Sequence, residues 1–371
     1  MKIGFVTSEY PLVGSSFGGI GTYVQTLALA MVQNGHQVNV LTAQENPPSE
    51  DHGVNFLQIP RVRSRVSQIL RTRRLIDSLL ASHSLDVVEA PECESHLIPY
   101  SKCSFGRIHG SHHFWRSTID ATTNRRRLFL EQVGIRSARH LSAPTQYAAD
   151  KTRAVMHLGN RSIEILPNPV DTDLFSPAES ITPGRIAFAG TLVEKKGVAE
   201  LLRAFASLAS EFPAAELHIA GRDPAGGDSQ SSFFGANMAA LSPATRSRIR
   251  LLGVLAPKQV ATLFASSQIC CLPSKMETQG NVFVEAMACG RPVIAGDRGP
   301  AREVLAEGTG WLVDPDDPTC IAEALSHALL DAEECSNRGN QGRIRAALFS
   351  IDQCAERHVD FYSRMLEENP R

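Results

Sequence analysis

The sequence predicts an α/β protein made of two doubly wound parallel-sheet domains. Apolar strand-like runs alternate with helix-length amphipathic segments, and this alternation begins again in the second half after a stretch rich in proline. The length of 371 residues is enough for two domains of ordinary size. We predict domains over residues 1–170 and 185–349, a linker at 171–184, and a last helix over 350–366.

In the first domain a glycine-rich loop at Gly14–Gly21 separates the first strand from a helix at Thr22–Asn34. The strands of this domain are predicted at Lys2–Thr7, Gln37–Leu41, Phe56–Ile59, Asp86–Glu89 and Gly106–Ile108. The second domain repeats this layout, with a loop at Gly190–Gly197 and a helix at Val198–Ala209. Its strands are predicted at Arg185–Ala189, Glu216–Ala220, Ile249–Leu252, Gln268–Leu272 and Pro292–Ala295. Parallel sheets bind ligands at the carboxyl ends of their strands, so two domains facing across a cleft predict one shared site.

The composition excludes several classes of protein. With 43% hydrophobic and 20% charged residues, the chain is neither disordered nor collagen-like, and no apolar run approaches the roughly 18 residues of a spanning helix. The N-terminus turns polar after six residues, too early for a signal peptide, so a cytoplasmic location is expected. The eight cysteines contain no C-x-x-C pair, which favours reduced thiols over disulfides or a zinc site.

The charge is distributed unevenly along the chain. Residues 1–170 contain 18 Lys and Arg against 13 Asp and Glu, whereas the remainder is acidic. Much of the positive charge comes from Arg61, Arg63, Arg65, Arg71, Arg73, Arg74 and Arg125–Arg127. These arginines indicate either a solvated face or peripheral contact with anionic lipid at the inner membrane face, where a lipid-diphosphate acceptor would also bind. Nucleic acid is not expected, because no basic stretch is interleaved with aromatic residues.

The most informative segment runs from Lys275 to Ala295. Gly280 precedes an amphipathic run, which predicts a helix start near Asn281 whose free N–H groups would bind an anion. Glu285 lies about one turn into this helix, and Glu277 lies eight positions earlier on the loop. Each carboxylate can accept hydrogen bonds from two hydroxyls, so the set fits a nucleotide-sugar. The alternative is that Glu285 only favours the helix N-terminus and Glu277 is solvated.

This segment resembles the E-x7-E signature of the retaining glycosyltransferases of GT-B fold, particularly glycosyltransferase family 4. The resemblance extends over most of the chain. It includes Gly18–Val24, Leu166–Asp171, Ala189–Gly197 and Gly308–Val313. It implies GT-B architecture, with the last helix (350–366) crossing back to the first domain. It also implies a metal-independent transfer of a sugar from a nucleoside diphosphate to a hydroxyl with retention of configuration.

The resemblance also implies roles for individual residues. Glu285 would bind the donor ribose, and Glu277 would contact hydroxyls of the transferred sugar. Lys196 would neutralise the negative charge that builds on the leaving diphosphate. His109, after the strand Gly106–Ile108, would lie near the transferred sugar. Backbone groups that would approach the donor belong to Gly18, Gly19, Gln279, Gly280, Asn281 and Val282.

The sequence departs from the family pattern at Thr191, where the phosphate loop commonly has Arg. The missing cation would be supplied by Lys195, Arg222, Arg298 or Arg302, or the chain would be a weak or inactive relative that still binds nucleotide-sugar. Removing one preorganised charge costs on the order of a few kcal/mol of transition-state stabilisation.

Two other patterns contain possible metal ligands. His109-x-x-His112-His113 with Glu92 and Glu94 has the residue types of a metal site, but loop histidines are more often solvated or hydrogen-bonded. The two glutamates would either bind acceptor hydroxyls or be surface charges on a loop. Asp171-Thr172-Asp173 imitates a D-x-D metal motif but lies in the predicted linker. No metal and no other cofactor is therefore expected.

The predicted function is transfer of a hexose, with glucose as the best guess, from a UDP-sugar to a saccharide or polyprenyl-linked saccharide. Polysaccharide or glycoconjugate biosynthesis is the expected setting. In the expected front-face mechanism, the leaving phosphate itself helps to deprotonate the acceptor hydroxyl, which agrees with the lack of a paired-carboxylate glycosidase arrangement. The alternatives are a nucleotide-sugar epimerase or phosphorylase of the same fold, or a nucleotide-sugar-binding relative with little turnover.

Overall fold

The computed structural model describes most of the chain. The described residues are 1–11, 18–45, 47–62, 65–93, 103–116, 125–224 and 232–368. They form two compact units, Met1–Pro169 with Ile351–Arg371, and Val170–Ser350. Each unit is an α/β structure around its own sheet, which confirms the predicted fold class at this level. Gly14, Arg63 and Glu94 lie outside the described residues.

The first unit is built on an eight-stranded sheet. Its elements up to residue 165 are β1 (Lys2–Thr7), α1 (Gly19–Gln33), β2 (Gln37–Thr42), β3 (Glu50–Asp51), β4 (Val54–Gln58), α2 (Arg65–Ala81), β5 (Val87–Pro91), β6 (Ser104–Arg107), α3 (His112–Trp115), α4 (Arg125–Ser137), β7 (His140–Ala143), α5 (Gln146–Met156) and β8 (Glu164–Ile165). The strand order is β3-β4-β2-β1-β5-β6-β7-β8. Neighbouring strands are parallel except for the antiparallel pair β3 and β4.

The start of α1 differs from the prediction. The helix begins at Gly19 rather than Thr22, because the Thr22 N–H already donates to the Gly18 carbonyl and closes a first turn there. The Gly21 N–H donates to Glu9 Oε1 at 3.2 Å. A carboxylate therefore already lies at this helix N-terminus, where the macrodipole favours negative charge.

The second unit is built on a six-stranded sheet of parallel strands. Its elements are β9 (Thr182–Ala189), α6 (Val198–Leu208), β10 (Glu216–Ala220), α7 (Phe233–Ala239), α8 (Pro243–Arg246), β11 (Ile249–Gly253), α9 (Pro257–Ala265), β12 (Ser267–Leu272), α10 (Asn281–Ala288), β13 (Val293–Gly296), α11 (Ala301–Leu305), β14 (Gly310–Val313), α12 (Pro318–Leu330) and α13 (Ala332–Ala346). The strand order is β11-β10-β9-β12-β13-β14. Short 3₁₀ turns occur at Glu194–Lys196 and Ala347–Phe349.

The segment predicted as a linker, residues 171–184, lies within the second unit. Phe175 is buried in the core of that unit, and the Arg343 guanidinium donates to the carbonyls of Thr172 and Phe175 at 2.8 and 3.0 Å. The strand β9 begins at Thr182, three residues before the predicted start. These contacts hold the segment against α13 and the core of the second unit.

The last helix, α14 (Ile351–Glu367), belongs to the first unit. The ring of Phe361 packs edge-on against Phe105 of β6, and the buried Tyr362 hydroxyl donates to Glu89 of β5 at 3.0 Å. Among the described helices, none has the length and apolar character needed to cross a membrane.

Candidate active site in the second unit

The helix predicted near Asn281 begins at that residue. Its N-cap, Gly280, has a left-handed backbone with φ of 78°, and a Cβ at this position would lie 2.5 Å from the Phe283 ring. Glycine is therefore required on both conformational and steric grounds. Gly280 provides no side-chain cap, and the Phe283 N–H donates to the Gly280 carbonyl at 2.8 Å. The positive end of the α10 dipole therefore lies at a helix start without a capping carboxylate or hydroxyl from Gly280, where negative charge is favoured.

Two of the residues predicted to be catalytic form an ion pair. Lys196 ends the 3₁₀ turn that follows β9, and Glu277 lies on the loop between β12 and α10. The Lys196 Nζ donates to Glu277 Oε1. Only 20% of the lysine side chain and 13% of the glutamate side chain are exposed, so solvent screens this pair weakly.

Close backbone contacts hold these loops together. Gly197 has a left-handed φ of 70°, and a Cβ there would lie 2.0 Å from the Pro273 carbonyl oxygen. The Lys275 N–H donates to the Lys195 carbonyl at 2.9 Å. A Cβ on Gly221, just after β10, would lie 1.8 Å from the Gly190 carbonyl oxygen. The loops after β9, β10 and β12 therefore meet at the carboxyl ends of their strands.

The Lys275 side chain braces the loop that bears Glu277. Its Nζ lies 3.0 Å from Glu200 Oε1 on α6 and 2.8 Å from Asp316 Oδ1 after β14. This role was not predicted, because Glu200 lies 75 residues away in sequence and no local pattern signals the contact. Lys275 thus joins three elements of the second unit around the site.

Glu285 lies one turn into α10 and is half-buried. Burial raises the pKa of its carboxyl to about 7, and the positive charge of Lys196 opposes this rise. The carboxylate form therefore becomes dominant only above neutral pH. Nearby, the Gln279 side chain is fully buried and its Nε2 donates to Asn281 Oδ1 at 3.2 Å, which fixes the residues at the helix start.

Carboxylates neutralise two of the cations that were expected to replace the missing arginine. Arg298 pairs with Asp316 and, at 2.7 Å, with Asp314. Arg302 lies 3.5 Å from Asp297. These contacts direct both guanidinium groups toward the carboxylates that follow β13 and β14.

The other two candidate cations lie on loops that meet at the site. Burial lowers the pKa of Lys195, and the neighbouring positive charge of Lys196 lowers it further. Arg222 is exposed, and its carbonyl accepts the N–H of Leu192, the residue after Thr191, at 2.9 Å. Arg222 is therefore held by its backbone beside the position where the family arginine is missing.

His109 lies in the first unit, two residues after the end of β6. Its ring meets Tyr23 of α1 edge-on, with centroids 4.9 Å apart. Burial and the nearby Arg107 charge lower the pKa of His109 well below its usual value, so the imidazole is neutral at physiological pH. A neutral imidazole can donate one hydrogen bond and accept another.

Glu92 does not have the role in acceptor binding that was considered for it. Its side chain is fully buried, and its two oxygens accept the N–H groups of His109 and Gly110 at 2.8 and 2.7 Å. Because both oxygens accept backbone N–H groups and the side chain is buried, this carboxylate is not accessible to acceptor hydroxyls. Sequence position placed Glu92 at a strand end correctly but gave no information on the direction of its side chain.

The residues considered as metal ligands have other partners. His112 Nδ1 lies 2.6 Å from Glu131 Oε1, and His113 Nε2 lies 3.0 Å from the Leu128 carbonyl. Asp171 Oδ1 accepts the N–H groups of Asp173 and Leu174, as in a local turn. In the part of the chain that the structure describes, no cluster of three or more His, Cys, Asp or Glu side chains is suited to a metal ion.

The predicted site residues divide between the two units. The second unit brings together the loop and helix residues Thr191, Lys196, Glu277, Gln279, Gly280, Asn281, Val282 and Glu285. Gly18, Gly19 and His109 belong to the first unit. A Cβ on Gly18 would lie 3.2 Å from the Glu9 carboxylate, whereas a Cβ on Gly19 would have no atom of the described residues within 4 Å.

Family models and known proteins match this chain along most of its length. The model described as Glycosyltransferase Family 4 matches residues 17–174, and that described as Glycosyl transferases group 1 matches residues 171–345. A phosphatidyl-myo-inositol mannosyltransferase of Mycolicibacterium smegmatis is 30% identical, over 89% of this chain and 85% of that protein. A GDP-mannose-dependent monoacylated alpha-(1-6)-phosphatidylinositol monomannoside mannosyltransferase of Corynebacterium glutamicum is 28% identical over 57% of each chain.

A solved structure of similar fold is that of Anabaena Alr3699/HepE in complex with UDP and glucose. It superposes with a TM-score of 0.76 at 17% identity and covers 98% of this chain and 100% of that one. Its likeness supports the fold, and the sequence matches support the family. The chain therefore belongs to the family 4-like glycosyltransferases of GT-B fold.

Proposed function

We propose that this chain is a retaining hexosyltransferase whose second unit binds a nucleoside-diphosphate sugar without a metal ion. One observation carries the proposal: the Lys196–Glu277 ion pair joins the loop after β9 to the loop that leads to the start of α10, and Glu285 follows one turn into that helix. This arrangement combines a cation, a helix dipole and two carboxylates in one place. Those groups match the diphosphate and the two polyol rings of a nucleotide-sugar.

In the proposed complex, the N–H groups at Gln279–Val282 hold the diphosphate and the sugar. Glu285 accepts hydrogen bonds from the ribose hydroxyls, and Glu277 accepts them from the transferred hexose. The Lys196 ammonium then lies between Glu277 and the leaving phosphate. The Lys196 charge also opposes the rise that burial causes in the pKa of Glu285, and this interaction supports the placement of the ammonium between the two carboxylates and the phosphate.

The proposed reaction needs no side-chain nucleophile. The bond between the anomeric carbon and the phosphate oxygen breaks, and the bond from the acceptor oxygen forms on the same face of the sugar. The acceptor proton passes to the leaving phosphate oxygen. Lys196 and the start of α10 stabilise the negative charge that develops on this leaving group, more strongly than in the ground state. His109, as a neutral imidazole, is proposed to hydrogen-bond the transferred sugar.

The sugar and the acceptor are the finer parts of the proposal. UDP-glucose is the donor expected from the sequence, and the mannosyl relatives make GDP-mannose the second candidate. Both donors carry the diphosphate and the two polyol rings that the proposed site requires. The acceptor is a saccharide or a polyprenyl-linked saccharide hydroxyl, in the biosynthesis of a polysaccharide or glycoconjugate.

A panel of UDP- and GDP-hexoses tests this function. With a chelator present, we expect one donor to release its nucleoside diphosphate slowly without acceptor and rapidly with a saccharide acceptor. The anomeric coupling constant of the product, measured by NMR, should match that of the donor. An inverted product or a strict metal requirement would contradict the proposed mechanism. An epimer of the donor sugar as product would indicate the epimerase alternative. A sugar phosphate as product would indicate the phosphorylase alternative.

The second cation near Thr191 can be located by exchanging charges. We propose that Arg222 supplies it, because its backbone is hydrogen-bonded to the phosphate loop at Leu192. Arg222→Gln is expected to lower the rate of donor turnover about tenfold or more. Adding Thr191→Arg to that variant should restore part of the rate. A rate unaffected by Arg222→Gln would contradict this assignment and point to Lys195. A loss that Thr191→Arg does not restore would also contradict it.

We also propose that the first unit contacts anionic membranes through α4. On this helix the exposed Arg125 shares a stripe with Phe129 and Val133, whose exposed fractions are 64% and 41%, and Arg126 is exposed beside it. Exposed apolar and basic side chains on one helix suit a lipid interface.

Sedimentation with vesicles tests this contact. We expect binding to vesicles that contain anionic lipid, weakened by salt, and reduced by Arg125→Gln with Phe129→Ser. The exposed Arg250→Gln, in the second unit, is the control and should leave binding unchanged. No sedimentation with anionic vesicles at low ionic strength would contradict the proposal.

A further inference from the structure

The loop that bears His109 is fixed by a buried carboxylate. Glu92 follows β5 and has no exposed surface. Its Oε2 accepts the His109 N–H at 2.8 Å, and its Oε1 accepts the Gly110 N–H at 2.7 Å. The N–H of Cys93 also contributes a hydrogen bond to this carboxylate. Glu92 therefore fixes the peptide groups before and after the Cα of His109.

The same turn is held from its other side by Trp115. The Trp115 Nε1–H donates to the Gly110 carbonyl at 2.8 Å. Gly110 has a left-handed φ of 103°, and a Cβ there would lie 2.6 Å from Trp115 Nε1. The two peptide groups that follow His109 thus have defined hydrogen-bond partners, and the turn has little freedom to rotate.

The ring of His109 is held separately from its backbone. Tyr23 contacts the ring edge-on, and the Tyr23 hydroxyl lies 3.0 Å from His358 Nε2 on α14. His358 Nδ1 lies 2.6 Å from the Cys354 carbonyl. This chain of buried contacts limits the positions that the imidazole can take once its backbone is set.

Glutamate is a costly choice for a merely structural role at position 92. Burial raises the pKa of its carboxyl to about 7, so the ionised form loses hydration that its backbone partners only partly replace. A carboxylate is nevertheless the group that can accept two N–H groups without a donor of its own, whereas a glutamine would turn an NH₂ group toward one of them. The arrangement fits a need for one defined backbone geometry at His109.

We propose that Glu92 is a positioning residue that sets the backbone, and through it the imidazole, of His109 for the transfer reaction. This inference rests on the proposed function for the step in which His109 contacts the transferred sugar. Glu92 itself touches neither donor nor acceptor, because it is buried behind the turn.

A double-mutant cycle tests the proposal. Glu92→Gln is expected to lower kcat at least tenfold and to leave the dissociation constant of the nucleoside diphosphate unchanged, since that ligand is assigned to the second unit. In a His109→Ala background, Glu92→Gln should lower kcat no further. Glu50→Gln is the matched control, because Glu50 is exposed and also accepts a backbone N–H, that of Gly53. Equal losses in both backgrounds, or an unchanged kcat, would overturn the proposal.

Two further measurements keep the test decisive. If Glu92→Gln does not fold, Trp115→Phe removes the hydrogen bond to the Gly110 carbonyl and should show the same dependence on His109. The ring ¹⁵N shifts of His109 provide a readout without turnover. They should change in Glu92→Gln and stay constant in Glu50→Gln. Unchanged shifts in Glu92→Gln would overturn the positioning role. If the shifts change in Glu92→Gln but the wild-type chain has no transferase activity, the positioning role stands and the proposed function is refuted.

Discussion

Lys196→Met is expected to lower the rate of sugar transfer by about 10²- to 10³-fold while weakening donor binding much less. The Lys196 ammonium, on the loop after β9, lies beside Glu277 on the loop that leads to α10, where the leaving diphosphate is proposed to gain negative charge. A preorganised cation stabilises that developing charge more than the ground state, so its removal appears mainly in kcat. Single-turnover measurement of nucleoside diphosphate release gives the rate directly.

Two further variants separate charge from folding in this experiment. Lys196→Met leaves the Glu277 carboxylate without its partner, which costs stability on the order of 1–3 kcal/mol. Combining it with Glu277→Gln removes the unpaired charge but should not restore the rate. Lys258→Met, at an exposed position of α9, is the control and should retain full activity. A loss of less than about threefold in Lys196→Met would contradict the assigned role.

Donor affinity is expected to depend on the ionisation of Glu285. Burial raises the pKa of this carboxyl to about 7, so it keeps its proton at lower pH than 7 and ionises above it. Only the carboxylate accepts hydrogen bonds from both ribose hydroxyls. Affinity for a nucleoside-diphosphate sugar should therefore rise up to about tenfold as the pH increases from about 6 to about 8.

Glu285→Gln should remove this pH dependence and weaken donor binding about 10- to 100-fold, since hydrogen bonds to a charged group contribute about 1.5–3 kcal/mol. Isothermal calorimetry with the intact sugar nucleotide is the suitable measurement, because a terminal phosphate would titrate near pH 6 and add its own dependence. Glu323→Gln on the exposed face of α12 is the matched control. A pH dependence that persists in Glu285→Gln would assign it to another group.

Local sequence patterns were sufficient for several elements. The bounds of β1 and β10 agree with the predicted strands. The helix α10 begins at the predicted Asn281, because Gly280 adopts the left-handed backbone conformation that precedes the helix. Glu285 falls within the first turns of that helix by spacing alone. The contact between Lys196 and Glu277 spans 81 residues, and only the family resemblance, not any local pattern, placed both at one site.

Predictions failed where the outcome depends on which way a side chain points. The sequence placed Glu92 at a strand end but could not distinguish an exposed carboxylate from one that accepts buried backbone N–H groups. The sequence also could not show that Arg298 and Arg302 have carboxylate partners, because those contacts are set by the packing of loops. The four-residue strand β7 and the two-residue strand β8 were not predicted, since so few residues give no readable period.

The crystal structure of this chain with a bound nucleoside diphosphate is the most direct test of the central claim. We expect phosphate oxygens about 3 Å from the N–H groups at the start of α10, with the ribose hydroxyls at the same distance from the Glu285 carboxylate. A nucleotide bound elsewhere, with Glu277 and Glu285 making no contact to it, would contradict the proposed donor site.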